Sequence, residues 1–222
     1  MTSINTIVYI KFPEISLKVR DAHKLRGYFG NIFKEHSELL HNHYADGNYR
    51  YKYPLVQYKV INRMPYLIGL GEGGRLLFDL FLKIDQLDVD GVKIPVLQKD
   101  VEISKYVPEI GEALYQYNFE TLWMGLNQHN YEDYQKLEVE AEKNKFLSKV
   151  LQNNILAFMK GINHQAENRI MVTGKFNEKM TQFKNQSMLA FTGTFASNTY
   201  LPQYIGLGKS VSRGFGTIQL TA

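Results

Sequence analysis

The chain has 222 residues, 44% of them hydrophobic and 22% charged, which suits one large or two small globular domains and excludes global disorder. Its 26 lysines and arginines against 22 aspartates and glutamates give a formal charge of +4, a mild bias toward anionic partners. Cysteine is absent, which excludes disulfides, thiolate metal sites and cysteine nucleophiles; with no signal-peptide pattern in residues 1–14 and no apolar run long enough to span a bilayer, a cytoplasmic protein without membrane association is expected.

Residues 5–12 (NTIVYIKF) are β-branched and aromatic and predict a first strand. Asp21 is placed to cap a helix over 22–40, where Leu25, Tyr28, Phe29, Ile32 and Phe33 fall at helical spacing. Residues 41–50 (HNHYADGNYR) are turn-rich. Residues 51–61 and 64–70 read as strands joined by a short turn at Asn62 and Arg63. A helix follows over 71–84, with Leu76, Leu77, Leu80 and Phe81 as its buried stripe, and then a hairpin over 87–97 around Asp90 and Gly91 that supplies the last strand of this half.

The order strand, helix, strand, strand, helix, strand is the split βαβ arrangement. The second half echoes it: a strand over 112–126, one long helix or two over 131–162, strands over 168–176 and 187–198, a glycine-rich loop, and a last strand over 216–221. The expectation is an α+β protein of two tandem ferredoxin-like, RRM-like domains, 1–105 and 106–222, with a C-terminal glycine-rich loop.

That loop, YIGLGKSVSRGFG over 204–216, contains Gly208, Lys209 and Ser210 and invites a nucleotide P-loop reading. A P-loop requires glycine where Gln203 stands and a helix after Ser210, where only twelve residues and two glycines remain. The spacing is not that of the dinucleotide fingerprint either. What remains is a choice between a surface turn and an anion grip. Gly206, Gly208, Gly214 and Gly216 let backbone amides approach an anion; Lys209 and Arg213 bring charge and Ser210 a hydroxyl; Phe215 can stack on a base or fill the core.

The motif GLGKSVSRGFG before a final strand resembles the glycine-rich loop of the RAMP superfamily of CRISPR-associated proteins. HNHYADGNYRYKYPLVQYKVI followed by YLIGLGEGGRLL is similar to the Cas-six endoribonucleases, in particular their subtype-B-like branch. The resemblance covers both ends of the chain and much of 22–80, while 85–185 is fitted by element order. It implies tandem ferredoxin-like domains and cleavage of CRISPR repeat RNA (pre-crRNA) into guide crRNAs. The partners it allows are that RNA, the subunits of a CRISPR interference complex, and a second copy of the chain in a homodimer gripping paired RNA. The alternative within the same superfamily is a non-catalytic crRNA-binding subunit of an interference complex.

Metal-independent RNA cleavage uses the 2′-hydroxyl as nucleophile, so a base must take its proton and an acid must protonate the leaving 5′-oxygen, giving 2′,3′-cyclic phosphate and 5′-hydroxyl ends. Histidine suits both roles near neutral pH. His41 and His43 are the best pair in the chain, although two histidines in a turn can equally be plain solvated residues. The resemblance maps catalysis onto His41 and His43, with Tyr49 or Tyr51 assisting; Arg50 and Lys52 can offset phosphate charge. Lys24 and Arg26, with Arg63 and Arg75, extend a candidate basic track. A three-histidine zinc site with His36 lacks any further ligand at motif spacing, so no metal and no cofactor is expected.

Overall fold

A computed structural model describes residues 5–32, 53–183 and 186–221. The chain divides into two compact units, Met1–Val107 with Ser212–Gly214, and Pro108–Val211 with Phe215–Ala222.

The first unit runs β1 (Asn5–Lys11), α1 (Ala22–Ile32), β2 (Val56–Ile61), β3 (Met64–Leu70), α2 (Glu72–Leu80), β4 (Gln86–Val89), β5 (Val92–Pro95) and β6 (Asp100–Tyr106). Its main sheet has the order β2-β3-β1-β6, antiparallel throughout, which is the ferredoxin-like plan. Asn62 and Arg63, at φ 49° and 68°, make the two-residue turn between β2 and β3, whose twist matches that of the flanking strands. Leu25 and Phe29 of α1 and Leu77 and Leu80 of α2 close onto Val8, Ile10, Tyr58, Val60 and Leu67 to form one apolar cluster. Each such buried side chain contributes roughly 1.5–3 kcal/mol. Helix α2 lies in backbone contact with the sheet: a Cβ on Gly69 would strike Gly73 and Gly74, and one on Gly73 would strike the Leu55 carbonyl.

The expected hairpin at 87–97 forms, but it is not the closing strand of the ferredoxin motif. β4 and β5 pair with each other as a separate two-stranded sheet, and the fourth strand of the main sheet is β6, which pairs with β1. The physical reason is the turn at Asp90 and Gly91 (φ 57° and 81°), with Asp88 Oδ1 accepting from the Gly91 amide at 2.8 Å, which folds the segment back on itself.

The sheet face opposite the helices is also buried, at Ile7, Tyr9, Gln57, Lys59, Ile61 and Ile68. Lys59 is fully buried there, and burial lowers its ammonium pKa to about 7. Gln57 Nε2 donates to Tyr53 Oη at 2.9 Å and to the Pro54 carbonyl at 3.2 Å, fixing the entry into β2.

The second unit runs β7 (Glu109–Phe119), α3 (Gln128–Gln135), α4 (Glu140–Gly161), β8 (Val172–Phe183), β9 (Gln186–Tyr200) and β10 (Ile218–Leu220). Residues 131–162 thus hold two helices, with Asn127 Oδ1 capping α3 by accepting from the Asn130 amide at 2.8 Å. The sheet order β10-β7-β9-β8 repeats the plan of the first unit. Its core gathers Tyr117, Phe119, Trp123, Phe191 and Phe195 from the sheet side with Leu147, Leu151, Ile155 and Phe158 of α4. Between β9 and β10, where the first unit has α2, the chain runs through residues 201–217, of which Ser212–Gly214 group with the first unit, and its one helical piece is a 3-10 turn at Val211–Arg213. Among the described residues no helix is long and apolar enough to cross a membrane.

Candidate nucleic-acid interface

The glycine-rich segment is built as a closed loop. At its base Gly206 bridges Thr217, the Leu207 amide donates to the Gly216 carbonyl at 2.9 Å, and the Ile218 amide donates to the Ile205 carbonyl at 3.0 Å. Ile205 and Leu207 are fully buried and Val211 nearly so, which anchors the loop in the core of its unit. The segment after β7 that carries Trp123 forms the wall: the Lys209 amide donates to the Met124 carbonyl at 2.9 Å and the Gly216 amide to the Leu122 carbonyl at 2.8 Å.

Two of the glycines are dictated by this geometry. Gly208 has φ 90°, and a Cβ there would stand 2.8 Å from both the Met124 carbonyl oxygen and Trp123 Nε1; Gly216 has φ 62°, and a Cβ there would collide with the Leu207 carbonyl. Ser210, at φ 55°, turns the chain at the outer end of the loop. Lys209 is exposed, and partial desolvation lowers its ammonium below the usual lysine value. Arg213 is half-buried at the end of the 3-10 turn. Phe215 meets Phe183 edge-on, with ring centroids 5.5 Å apart. Residues Ser212–Gly214 group with the first unit, where a Cβ on Gly214 would stand 2.7 Å from Ala22 Cβ.

Of the other expected site residues, His41, His43, Tyr49, Arg50, Tyr51 and Lys52 lie outside the described residues, as does His36. Lys24 on α1 is held by two carboxylates, Asp21 Oδ1 at 2.7 Å and Asp90 Oδ2 at 2.6 Å, and these hydrogen bonds raise its pKa while offsetting its charge. Arg26 is half-buried on the same helix, close enough to the Tyr58 phenol to influence it electrostatically. Arg63 Nε donates to Ser16 Oγ at 2.9 Å, and Arg75 is exposed on α2. Among the described residues no group of three or more histidine, cysteine, aspartate or glutamate side chains could hold a metal ion.

Trp123, a residue the sequence pattern does not mark as part of any site, is fully buried and has a second task. Its indole N–H donates to Asn154 Oδ1 at 3.0 Å, which fixes the ring against which Gly208 packs. Gly125, whose Cβ would strike the same ring, is the available signal: a tryptophan two residues before a glycine, in a chain with this single tryptophan.

Comparison with known proteins places these features in one family. The model of the Cas6b N-terminal domain matches residues 3–107, and that of the Cas6b C-terminal domain matches residues 109–221. A crystal structure of Cas6b is 34% identical, superposes with a TM-score of 0.92, and is matched over 99% of this chain and 100% of its own. A crystal structure of the CRISPR RNA processing endoribonuclease Cas6b is 32% identical at a TM-score of 0.79, again over 99% of this chain and 100% of its own. The uncharacterized protein MJ0978 of Methanocaldococcus jannaschii is 27% identical over 141 residues, which is 63% of this chain and 95% of that protein.

Proposed function

The chain belongs to the Cas6b family, and from that premise we propose that it processes CRISPR repeat RNA as a metal-independent endoribonuclease. The observation that carries the reading is the similarity, over 99% of the chain and at 32% identity, to a solved CRISPR RNA processing endoribonuclease. In this reading one of His41 and His43 takes the proton of the 2′-hydroxyl upstream of the scissile phosphate. The other protonates the departing 5′-oxygen. Tyr49 or Tyr51 orients this pair, and Arg50 or Lys52 offsets charge on the phosphorane. The products are a 2′,3′-cyclic phosphate and a 5′-hydroxyl.

The glycine loop is assigned to binding. Its amides at Lys209, Leu207 and Gly216 are committed to backbone acceptors, so the loop is stiff before RNA arrives. Lys209, Ser210 and Arg213 then contact phosphates, and Phe215, already packed on Phe183, buttresses them. Lys24, paired twice with aspartate, contributes least to phosphate binding in this scheme.

The test is cleavage of a repeat RNA in EDTA by wild type and by a His41→Ala, His43→Ala variant, with a substrate carrying a 2′-deoxy residue at the scissile position. Wild type is expected to cut the ribose substrate and not the deoxy one. The variant is expected to bind RNA with near-wild-type affinity and to lose cleavage. Cleavage by the variant at the wild-type rate would remove the histidines from the mechanism. Binding without cleavage by the wild type would favour the non-catalytic crRNA-binding reading.

A further inference from the structure

The second unit has one sheet face that carries no helix. Glu178 on β8 bonds Tyr134 of α3 and Lys143 of α4, so even-numbered β8 residues face the helices. The odd-numbered Thr173, Lys175, Asn177 and Lys179 therefore face the other way, and all four are exposed. The strand register extends this face across the sheet. Lys175 stands opposite Thr194, Thr194 opposite Asn118, and Asn118 opposite Gln219. The adjacent row is Thr173, Ala196 and Gln116, and Asn177 pairs with Thr192. One row of four side chains spans three strand spacings, about 14 Å.

The chemistry of these rows is one-sided. They hold threonines, amides, Ala196 and Lys175, with Lys179 one pair further along β8 opposite Ala190, and no aromatic residue. The nearest carboxylate along β7, Glu120, accepts from Asn118 Nδ2 and is thereby occupied. Three asparagines elsewhere in the unit are engaged structurally: Asn198 ties Gly111, Arg169 and Met171, Asn144 holds the Phe176 amide, and Asn154 holds Trp123. The side chains of Thr173, Lys175, Thr194, Gln116 and Gln219 make no such bond among the described residues.

A protein partner needs apolar anchors, which these rows lack. A polyanion that also presents donor–acceptor edges fits them: lysines on the edge strand for phosphates, and glutamines, which can donate and accept at once, for bases. We infer that the open face formed by Lys175, Lys179, Gln116 and Gln219 is a second RNA contact, which takes single-stranded nucleotides and reads base edges by hydrogen bonding, with adenine the favoured base. The preference for adenine follows from the bidentate match between a carboxamide and the adenine N6 and N7 edge. The inference rests on the RNA-processing reading for its ligand, and it places the added contact on single-stranded nucleotides rather than at the cut.

The experiment measures binding of short fluorescent oligo(A) and oligo(U), across salt, to three proteins: wild type, Gln116→Ala with Gln219→Ala, and Lys175→Ala with Lys179→Ala. The glutamine variant is expected to lose about tenfold in oligo(A) affinity and to hold oligo(U) as before. The lysine variant is expected to weaken on both, with a log Kd against log salt slope shallower by about 1.4. Both variants are surface changes, and unchanged thermal melting verifies their fold. Equal loss on both oligomers in the glutamine variant overturns base reading, and unchanged binding in both variants overturns the contact. Repeat RNA is cleaved in parallel: a wild type that fails to cut yet discriminates oligo(A) through these glutamines sinks the nuclease reading and leaves this one standing.

Discussion

The amide of Leu207 donates to the carbonyl of Gly216 at 2.9 Å, while Gly216, at φ 62°, has no room for a Cβ against the Leu207 carbonyl. The two ends of the glycine loop are thus in direct backbone contact, and the residues between them are set by that closure rather than by their own preferences.

Gly216→Ala is therefore expected to cost about 1–3 kcal/mol or more, combining a left-handed backbone with a backbone collision. Gly27 supplies the contrast. It lies inside α1, and a Cβ added there would meet nothing within 4 Å, so Gly27→Ala is expected to stabilise by roughly 0.5–1 kcal/mol. Thermal melting of the two single variants decides the point: a drop for the first and a rise for the second.

Lys209 and Arg213 sit on the arc that this closure holds. Replacing both by alanine is expected to weaken repeat-RNA binding and to flatten its salt dependence by about 1.4–1.8 in log–log slope, according to whether the contacted RNA is single- or double-stranded. Filter binding between low and moderate salt reads both quantities. A slope equal to wild type would show that neither residue touches a phosphate.

Trp123→Phe removes the indole N–H and leaves Asn154 Oδ1 without its donor beside a fully buried ring, an expected cost of about 1–3 kcal/mol. Because Gly208 packs on the same ring, RNA affinity is expected to fall along with the melting temperature. Full affinity in a destabilised variant would separate the wall from the loop.

Lys59 gives a pH-dependent prediction. Burial lowers its pKa to about 7 from 10.5, so between those values the unfolded chain binds a proton that the folded chain does not. Stability therefore rises with pH across that window, and the penalty is complete below about 7. Lys59→Met is expected to change stability more favourably near pH 6 than near pH 10, because only the lysine carries the titrating penalty. Most of that advantage is expected to be gone by about pH 10. Chemical denaturation at both pH values measures it; an equal gain at both ends would show that titration of Lys59 is not the cause.

Most of the fold was legible because the elements obey their periodicities. β3 falls on the expected residues, and the turn before it is marked by Asn62. β6 escaped because an edge strand reading DVEISKY alternates two apolar side chains with charges, while the hairpin before it has the stronger turn signal. The glycine loop was legible as a loop and as an unsuitable nucleotide site. The division of labour among its glycines was not, since it depends on the carbonyls of Leu122 and Met124, 94 and 85 residues away from the amides that reach them. The role of Trp123 was hidden for the same reason. The paired state of Lys24 depends on Asp90 in a distant turn, which no local pattern reports.

The loop is stitched to β7 through β10, since Ile218 pairs with Phe119 and Leu220 with Tyr117. During synthesis, the segment bearing His41 and His43 leaves the ribosome early, and the loop cannot close until residues 218–220 have emerged to take their place beside β7. A chain stalled before β10 would carry residues 204–216 without the strand that ties them to β7, so the loop is a product of late, long-range pairing rather than of its own local sequence.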